Sequence, residues 1–359
     1  MISKTSPTTA IFLSGGVDSA VAGYLLKQAG HKLLGVMHYH WPESRCCSTA
    51  GCANAEAVAA FLGIPFKSID VIPEFTRSVV QPYVDAYLQG ETPNPCTDCN
   101  PRIRFGLTVD KVMQSFPAVK TVATGHYARI QKNGDRYLLL KGSDPTKDQS
   151  YMLYALSQTQ LERTVFPLGE LKKSAVREIA RSQNIPAAHS PDSQDVCYAT
   201  RGHAQFVRDY TRGQGLPPGP IVDDHGKELG AHEGIYQFTI GQRRGLKVAL
   251  GEAAYVSHID AHGQTVTLSP REKLYHAHMA VRSVTWSAIE SLNQSLRAQV
   301  KIRYQSEAAW ATLTPAGAHQ VHVKFDDAQF AMTPGQRAVF YDGDVVLGGG
   351  IIDAIIFGT

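Results

Sequence analysis

Apolar and polar positions follow two different rhythms along this chain, and the change comes near residue 205. Before it, short apolar runs alternate with stretches of helical period. TAIFL (9–13) reads as a buried strand, and Ala20 to Ala29 as a helix ended by Gly30. KLLGVM (32–37) reads as a second strand, and Ala53 to Leu62 as a helix closed by Gly63. PFKSIDV (65–71) and KTVATG (120–125) are further strands. Near Lys172 to Gln183, the apolar residues Ala175, Val176, Ile179 and Ala180 share one helical face, and the pattern stops before Pro186. Strand–helix alternation at this spacing predicts an α/β fold with a doubly wound parallel sheet. After the change, GQGLPPGPIVDDHGKELG (213–230) is rich in turn residues, with a hairpin predicted at Asp224-His225-Gly226-Lys227. From about 271 the runs RAQVKIRY, AAWATLT, QVHVKF, RAVFYDG and VVLGGGII alternate with no competing helical period, which predicts a small β-barrel. The expected division is 1–205, a small central α+β part at 206–270, and a C-terminal barrel at 271–359.

Composition narrows the class. A chain of 359 residues has room for two or three domains. With 43% hydrophobic and 19% charged residues, it can fill cores and is not a disordered polyampholyte. No apolar run reaches the roughly 18 residues a membrane span needs. The start, MISKTSPTTAIFLSGG, has too short an apolar core for a signal peptide, so the expected setting is the cytoplasm. Six cysteines are too sparse for a disulfide scaffold, which leaves catalytic, redox or metal-binding roles for them. A net charge of +3 permits a nucleic-acid partner without arguing for one.

The first strand–helix junction carries Ser14-Gly15-Gly16-Val17-Asp18-Ser19. Two glycines let the backbone turn tightly and approach a ligand, and the helix N-terminus adds partial positive charge. Asp18 and Ser19 are expected to satisfy free amides there. No GK[ST] follows, so the loop is an anion site of a kind other than the Walker A type.

The cysteines fall in three groups: Cys46, Cys47 and Cys52 in RCCSTAGC, Cys96 and Cys99 in TPNPCTDCNPRIRFG (92–106), and Cys197 in DSQDVCYA (192–199). Pro93, Pro95 and Pro101 predict that the second group lies in an extended loop, and Arg102 and Arg104 that its thiols are held as thiolates. Three readings compete with catalysis. Cys197, between Val196 and Tyr198, could be a packed hydrophobe; Cys96 and Cys99 with the 46/47/52 group could be a zinc site; Cys96 and Cys99 could be a redox pair.

The hexapeptide resembles the pyrophosphate loop of the N-type ATP pyrophosphatases, which split ATP to AMP and pyrophosphate while adenylating a substrate. Further motifs choose within that group. SGGVDS (14–19), TPNPCTDCNPRIRFG, ATGHYARI (123–130), KDQSYMLYAL (147–156), FPLGELKKSAVREIA (166–180), DSQDVCY, FTIGQRRGL (238–246) and TPGQRAVFYDGDVVLGGG (333–350) follow in that order. Together they resemble the bacterial tRNA-specific 2-thiouridylases of the MnmA type over nearly the whole chain. The resemblance implies a pyrophosphatase-type catalytic domain at 1–205, with both later parts binding tRNA. It implies ATP-dependent replacement of O2 by sulfur at the wobble uridine U34 of tRNAs for Lys, Glu and Gln. Cys197 is then the persulfide carrier and Cys99 the nucleophile, with a Cys99–Cys197 disulfide on turnover. ATP, with Mg²⁺, would meet Phe12, Leu13, Ser14, Gly15, Gly16, Val17, Asp18, Ser19, Gly125 and His38, which stands where many relatives carry Met. Asp18 counts among the catalytic residues. The anticodon stem-loop would meet Asn94, Pro95, Cys96, His126, Lys147, Asp148, Gln149, Arg303, Tyr304 and Gln336, with U34 flipped outward. From residue 271 on, eight basic face eight acidic side chains, so the Gln242-Arg243-Arg244-Gly245 loop is the better phosphate contact. A persulfide-donating relay protein is the expected partner. Cys96 stands where some relatives carry Asp. That brings three thiols, Cys96, Cys99 and Cys197, to one site and makes a [4Fe–4S] cluster on them the competing mechanism. Cys46 and Cys47 match a Cys-Cys-Ser pair found in a subset of relatives, with no role implied. Two other classes remain for comparison: a different adenylating ligase, which needs neither Cys99 nor Cys197, and a pure RNA-binding protein, which needs no pyrophosphate loop.

Overall fold

The computed structural model describes residues 8–44, 46–188, 190, 196–248 and 253–356. They form two compact units, one of Met1–Val79, Cys96–Thr200 and Asp344–Val346, the other of Val80–Pro95, Arg201–Gly343 and Leu347–Thr359.

The first unit is built on a parallel sheet. Its strands are β1 (Thr8–Phe12), β2 (Lys32–Tyr39), β3 (Phe66–Asp70) and β4 (Val119–Ala123), in the order β3-β2-β1-β4, with a short strand at Thr164–Val165 beside β4. Every pairing in it is parallel. β1 is buried along its whole length, as a central strand covered on both faces must be. Helix α1 (Val17–Gln28) begins three residues before the apolar pattern does. Helix α2 (Thr49–Leu62) starts at Ser48, whose hydroxyl accepts from the Gly51 N–H, and stops at Gly63 in the left-handed conformation. Ile11, Leu13, Val21, Leu26, Met37, Val58, Leu62 and Val176 fill the core between sheet and helices. A hairpin of Ala128–Asn133 and Arg136–Lys141 completes the unit, with Val345 paired to Leu140.

The Pro-rich segment departs from expectation. Cys96–Cys99 is a helical turn, Asn100–Leu107 continues it as a π-helix, and Thr108–Ser115 follows as an α-helix. Pro93 and Pro95 precede the first turn and interrupt nothing. Pro101 falls at the start of the π-helix, where its missing N–H matters least and the wider turn relieves its ring.

In the second unit, the predicted hairpin joins Gly219–Asp223 to Glu228–His232, and the Asp223 carboxylate accepts from the N–H groups of His225 and Lys227, both at 2.9 Å. Tyr255–Asp260 and Thr265–Ser269 extend this sheet. A barrel of six strands follows: Tyr275–Trp286, Gln320–Phe330, Ala309–Gly317, Leu296–Lys301, Arg337–Asp342 and Val345–Ile355. Pairing of the first with the last closes it. Met279, Val281, Ala298, Val300, Phe325 and Phe340 point inward. Tyr275–Trp286 escaped the sequence reading because Ser283 takes a positive φ of 52° there and breaks the alternation. Among the described residues no helix is long and apolar enough to cross a membrane.

Candidate functional site

The loop after β1 lies at the carboxyl edge of the parallel sheet, beside the switch in strand order between β1 and β4, where such sheets leave a ligand crevice. Gly15 has a φ of +77°, and a Cβ there would sit 2.8 Å from the Gly51 carbonyl. Gly16 caps α1 without any side-chain hydrogen bond, so the helix N-terminus keeps its N–H groups for a ligand. Ser19 behaves as expected: its hydroxyl accepts from the Ser14 N–H at 3.2 Å and donates to the Gly16 carbonyl at 3.0 Å. Asp18 does not. Its carboxylate receives Lys173 Nζ at 2.6 and 2.8 Å and the Tyr127 hydroxyl at 2.7 Å, because a cation and a phenol outcompete amides for it. Neither Lys173 nor Tyr127 was read as functional. The signal was present, since Lys173 lies in the FPLGELKKSAVREIA motif and Tyr127 in ATGHYARI. Asp144 fixes Lys173 by accepting its backbone N–H at 2.8 Å. Gly125, just after β4, is so close to the loop that a Cβ would come 2.6 Å from backbone atoms of Asp18 and Ser19.

His38, near the end of β2, meets Phe12 edge-on and stacks on His40 at 4.8 Å. Burial, reinforced by the Arg104 charge, holds its imidazole well below its ordinary pKa. Its Nε2 is buried and has no hydrogen-bond partner among the described residues. Most buried polar atoms are paired, so this one stands out.

Burial pushes the Cys99 thiol up to about 12, and Arg104 pulls it down too little to compensate. Cys96 moves the same way for the same reason. Both are therefore neutral thiols, not the thiolates expected from the neighbouring arginines. Arg102 points outward, 60% exposed, and pairs with Asp98 at 3.8 Å. Arg104 turns inward to the Asn100 side-chain carbonyl (2.8 Å) and to His126 Nε2 (3.3 Å), and His126 Nδ1 meets the Thr124 hydroxyl at 2.8 Å. Burial, with Arg104 adding to it, keeps His126 neutral.

Cys197 places its sulfur 3.4 Å from His40 Nε2. Tyr198 beside it packs against Trp41 and Phe75. Residues 192–195 of its motif lie outside the described residues. His40 also meets Cys46 (3.8 Å from Nε2) and Cys47 (3.3 Å from Nδ1). Burial lowers the His40 pKa, but the Cys46 and Cys47 sulfurs raise it further, to about 9. Sequence reasoning missed His40, although His38-Tyr39-His40 ends the strand before the cysteine pair. All six cysteines are free thiols, Cys99 and Cys197 included.

The remaining positions are placed as follows. The Asp148 carboxylate is buried and accepts from the Gly142 N–H, the Ser150 N–H and the Ser150 hydroxyl at 2.9–3.0 Å, which shapes the turn. Gln149 accepts from the Tyr127 N–H at 3.0 Å, and the Lys147 N–H caps the Asp144 carbonyl at 3.0 Å. In the second unit, which holds Asn94 and Pro95, Gln336 donates to the Thr92 carbonyl at 2.9 Å. Arg303 donates to the carbonyls of Ile240 (3.0 Å) and Ala331 (2.8 Å) and to Thr333 Oγ1. Tyr304 lies under Lys301, 5.6 Å from ring centre to Nζ. Gln242 pins its loop by accepting from the Thr239 N–H and donating to the Arg244 carbonyl, which leaves Arg243 and Arg244 exposed.

Three family models match in succession: a tRNA methyl transferase HUP domain over residues 8–201, a tRNA methyl transferase PRC-barrel domain over 204–270, and an aminomethyltransferase beta-barrel domain over 276–352. The tRNA-specific 2-thiouridylase MnmA 2 of Caldanaerobacter subterraneus subsp. tengcongensis is 41% identical over 95% of this chain and 96% of its own. The tRNA-specific 2-thiouridylase MnmA of Geobacter metallireducens is 40% identical over 99% of both. Among solved structures, the U34-tRNA thiolase NcsA from Methanococcus maripaludis with its [4Fe-4S] cluster aligns over 57% of this chain and 64% of that one, at 20% identity and a TM-score of 0.35.

Proposed function

The chain belongs to the tRNA-specific 2-thiouridylase (MnmA) family and is a tRNA sulfurtransferase, and on that basis we propose that it thiolates C2 of the wobble uridine U34 in tRNAs for Lys, Glu and Gln, at the expense of ATP. Residues 1–205 carry the chemistry, 206–270 and 271–359 hold the tRNA, and the reducing cytoplasm is the setting. The open N-terminus of α1 and the loop amides of Ser14 to Ser19 receive the triphosphate of Mg²⁺–ATP. His38, with its free Nε2, and Gly125 flank the nucleoside end. O2 of the flipped uridine attacks the α-phosphate, pyrophosphate leaves, and C2 then carries an AMP leaving group. A relay protein charges Cys197 to a persulfide. The terminal sulfur attacks C2 and expels AMP, which leaves the tRNA joined to Cys197 by a disulfide. Deprotonated Cys99 attacks the Cys197 sulfur and breaks that disulfide, so the transferred sulfur stays on C2. The Cys99–Cys197 disulfide that results is returned to two thiols by a cellular dithiol, which supplies the two electrons.

The observation that carries this reading is the presence, in one unit, of an uncapped anion loop and two cysteines far apart in sequence, Cys99 and Cys197, the latter against His40. A [4Fe–4S] cluster on Cys96, Cys99 and Cys197 would supply sulfide activation at an open iron. The cluster-free route is preferred because the metal-ligating side chains gathered most tightly among the described residues are His40, Cys46 and Cys47 instead. The test is a reaction with tRNA, ATP and a persulfide donor, read by mass spectrometry of the nucleosides and by iron content. The expected result is one oxygen-to-sulfur exchange per uridine, one AMP and one pyrophosphate, no iron, and no product from Cys99→Ser or Cys197→Ser although both bind tRNA within a few-fold. Thiolation by either variant removes that cysteine from the relay. Four irons per chain, lost with activity in Cys96→Ala, replace the relay by the cluster.

A further inference from the structure

The proposed chemistry makes no use of His40, Cys46 and Cys47. Their ligand atoms all lie within 4.8 Å of one another. His40 is 1% exposed and Cys47 2%. The approaches between imidazole and sulfur run from 3.3 Å (Nδ1 to Cys47) to 3.8 Å (Nε2 to Cys46). Zinc–nitrogen bonds of about 2.0 Å and zinc–sulfur bonds of about 2.3 Å, set tetrahedrally, put nitrogen about 3.5 Å from sulfur. The two distances are to opposite ring nitrogens and a metal takes only one of them, so side-chain rotation must bring Cys46 and Cys47 to the same nitrogen, over gaps that stay within 4.8 Å.

Two further contacts bear on it. His40 Nδ1 lies 3.2 Å from the His38 carbonyl. With the Nδ1 proton on that carbonyl, Nε2 is the ligating nitrogen, on the side of Cys46 and Cys197, and Cys47, which meets Nδ1, has to rotate to join them. The Cys197 sulfur lies 3.4 Å from the same Nε2 but outside the tight group of His40, Cys46 and Cys47, so it can join as a fourth ligand only by moving toward the other two sulfurs. Cys52 stands apart, its thiol directed to the Cys47 carbonyl at 3.6 Å. The chain topology explains the gathering: β2 delivers His40 at the carboxyl edge of the sheet, and the turn before α2 returns Cys46 and Cys47 beneath it.

We propose that His40, Cys46 and Cys47 form a zinc-class metal site that Cys197 closes as an exchangeable fourth ligand. Binding releases one proton per thiol, together with the extra ring proton of His40 where that imidazole is charged, and no electrons, giving Zn(His)(Cys⁻)₃ with a net charge of −1. Three thiolates and one imidazole select a soft or borderline d-block ion over Mg²⁺ or Ca²⁺. While metal-bound, the Cys197 sulfur is tied up as a ligand, and departure of that one bond frees it. The link to sulfur transfer rests on the role proposed above for Cys197; the metal site itself does not.

The experiment uses the full-length, reduced, chelator-stripped protein without ATP or tRNA, and the probes are Zn²⁺ and Co²⁺ alone. One zinc per chain should survive exchange into buffer with a weak chelator, and Co²⁺ should give the thiolate charge-transfer band and the intense visible bands of a tetrahedral site. Cys46→Ser and Cys47→Ser should each lose at least about tenfold in affinity, as loss of a metal contact does. Cys52→Ser and a Cys96→Ser/Cys99→Ser double variant should bind as wild type. Cys197→Ser should keep the metal with about a third less charge-transfer intensity, since one thiolate of three is gone. In the Cys96→Ser/Cys99→Ser background, zinc should slow maleimide labelling of Cys197. Wild type that retains no zinc and shows no tetrahedral cobalt spectrum overturns the site, without needing any variant to fold. Equal zinc in wild type and Cys46→Ser/Cys47→Ser overturns the ligand assignment, and unchanged labelling overturns the role of Cys197. None of these readouts depends on thiolation, so each failure leaves the sulfur-transfer reading standing.

Discussion

At the scale of single residues, the site is defined by pairs that lie far apart in sequence. Lys173 binds Asp18 through both carboxylate oxygens across 155 positions. That ion pair sits at the anion loop, and in the proposed ATP chemistry the cation is the group able to follow the charge that develops as pyrophosphate departs. Lys173→Ala should therefore lower pyrophosphate release by about 100-fold, the range typical for losing one preorganised charge, and Asp18→Ala should do likewise while the fold persists. Release at the wild-type rate in either variant would detach the pair from ATP cleavage. A second consequence is pH dependence. His38 and His126 are buried neutral, with pKa values well below the ordinary 6.5. In the unfolded chain both take up a proton near 6.5, so the stability they hold is complete above that pH. It is lost as pH falls toward their folded values, at up to about 1.4 kcal/mol per histidine per pH unit. His40, raised to about 9, contributes with the opposite sign across this range, so the test is a difference. In urea unfolding between pH 7.5 and 5.5, His38→Leu should lose less stability on acidification than wild type, by up to about 1.4 kcal/mol per pH unit. No difference would mean that His38 takes up its proton alike in the folded and unfolded chain.

At the scale of elements, local pattern decided what the sequence revealed. The parallel strands and α1, α2 were legible because their apolar runs and glycine stops are local signals. The helix carrying Cys99 was not, because three prolines within nine residues speak for a loop and only their exact offsets permit a π-helix. Its geometry depends on Gly106, where a Cβ would stand 2.6 Å from the Pro101 carbonyl. That carbonyl also accepts from the Gln160 side chain at 2.7 Å. Gly106→Ala must push one of these partners aside and tilt the turn that presents Cys99. The expected cost is about 1–3 kcal/mol of stability, the usual penalty of overpacking, with thiolation down by more than tenfold while ATP cleavage in that unit stays within a few-fold. A variant that thiolates normally would show that the π-turn does not set the position of Cys99.

At the scale of the whole molecule, the change of rhythm near residue 205 and the alternation after 271 announced an α/β part and a barrel, and both are present. What stayed hidden were the long-range partners, such as His40 to Cys197 across 157 positions, which no periodicity encodes. Charge was equally uninformative about tRNA, since the chain carries only +3 overall and the barrel is balanced. Several positions expected to touch tRNA already serve the fold: Asp148 is spent on its turn, and Arg303 ties Ile240, Ala331 and Thr333 together. Exposed cations held in fixed places are further candidates for phosphate contacts. Arg243 and Arg244 meet that description, because Gln242 fixes their loop while both side chains face solvent. Each phosphate neutralised by such a side chain releases condensed counterions, with a slope of about 0.7 to 0.9 in log affinity against log salt. Replacing both by alanine removes no packing, so the melting temperature should not move. The tRNA dissociation constant should rise by at least about tenfold at low salt, and the slope should fall by about 1.4 to 1.8. Filter binding of intact tRNA across a salt series reads both quantities at once. A weaker complex with an unchanged slope would mean that the arginines act through shape, and an unchanged complex would place the tRNA elsewhere on the molecule.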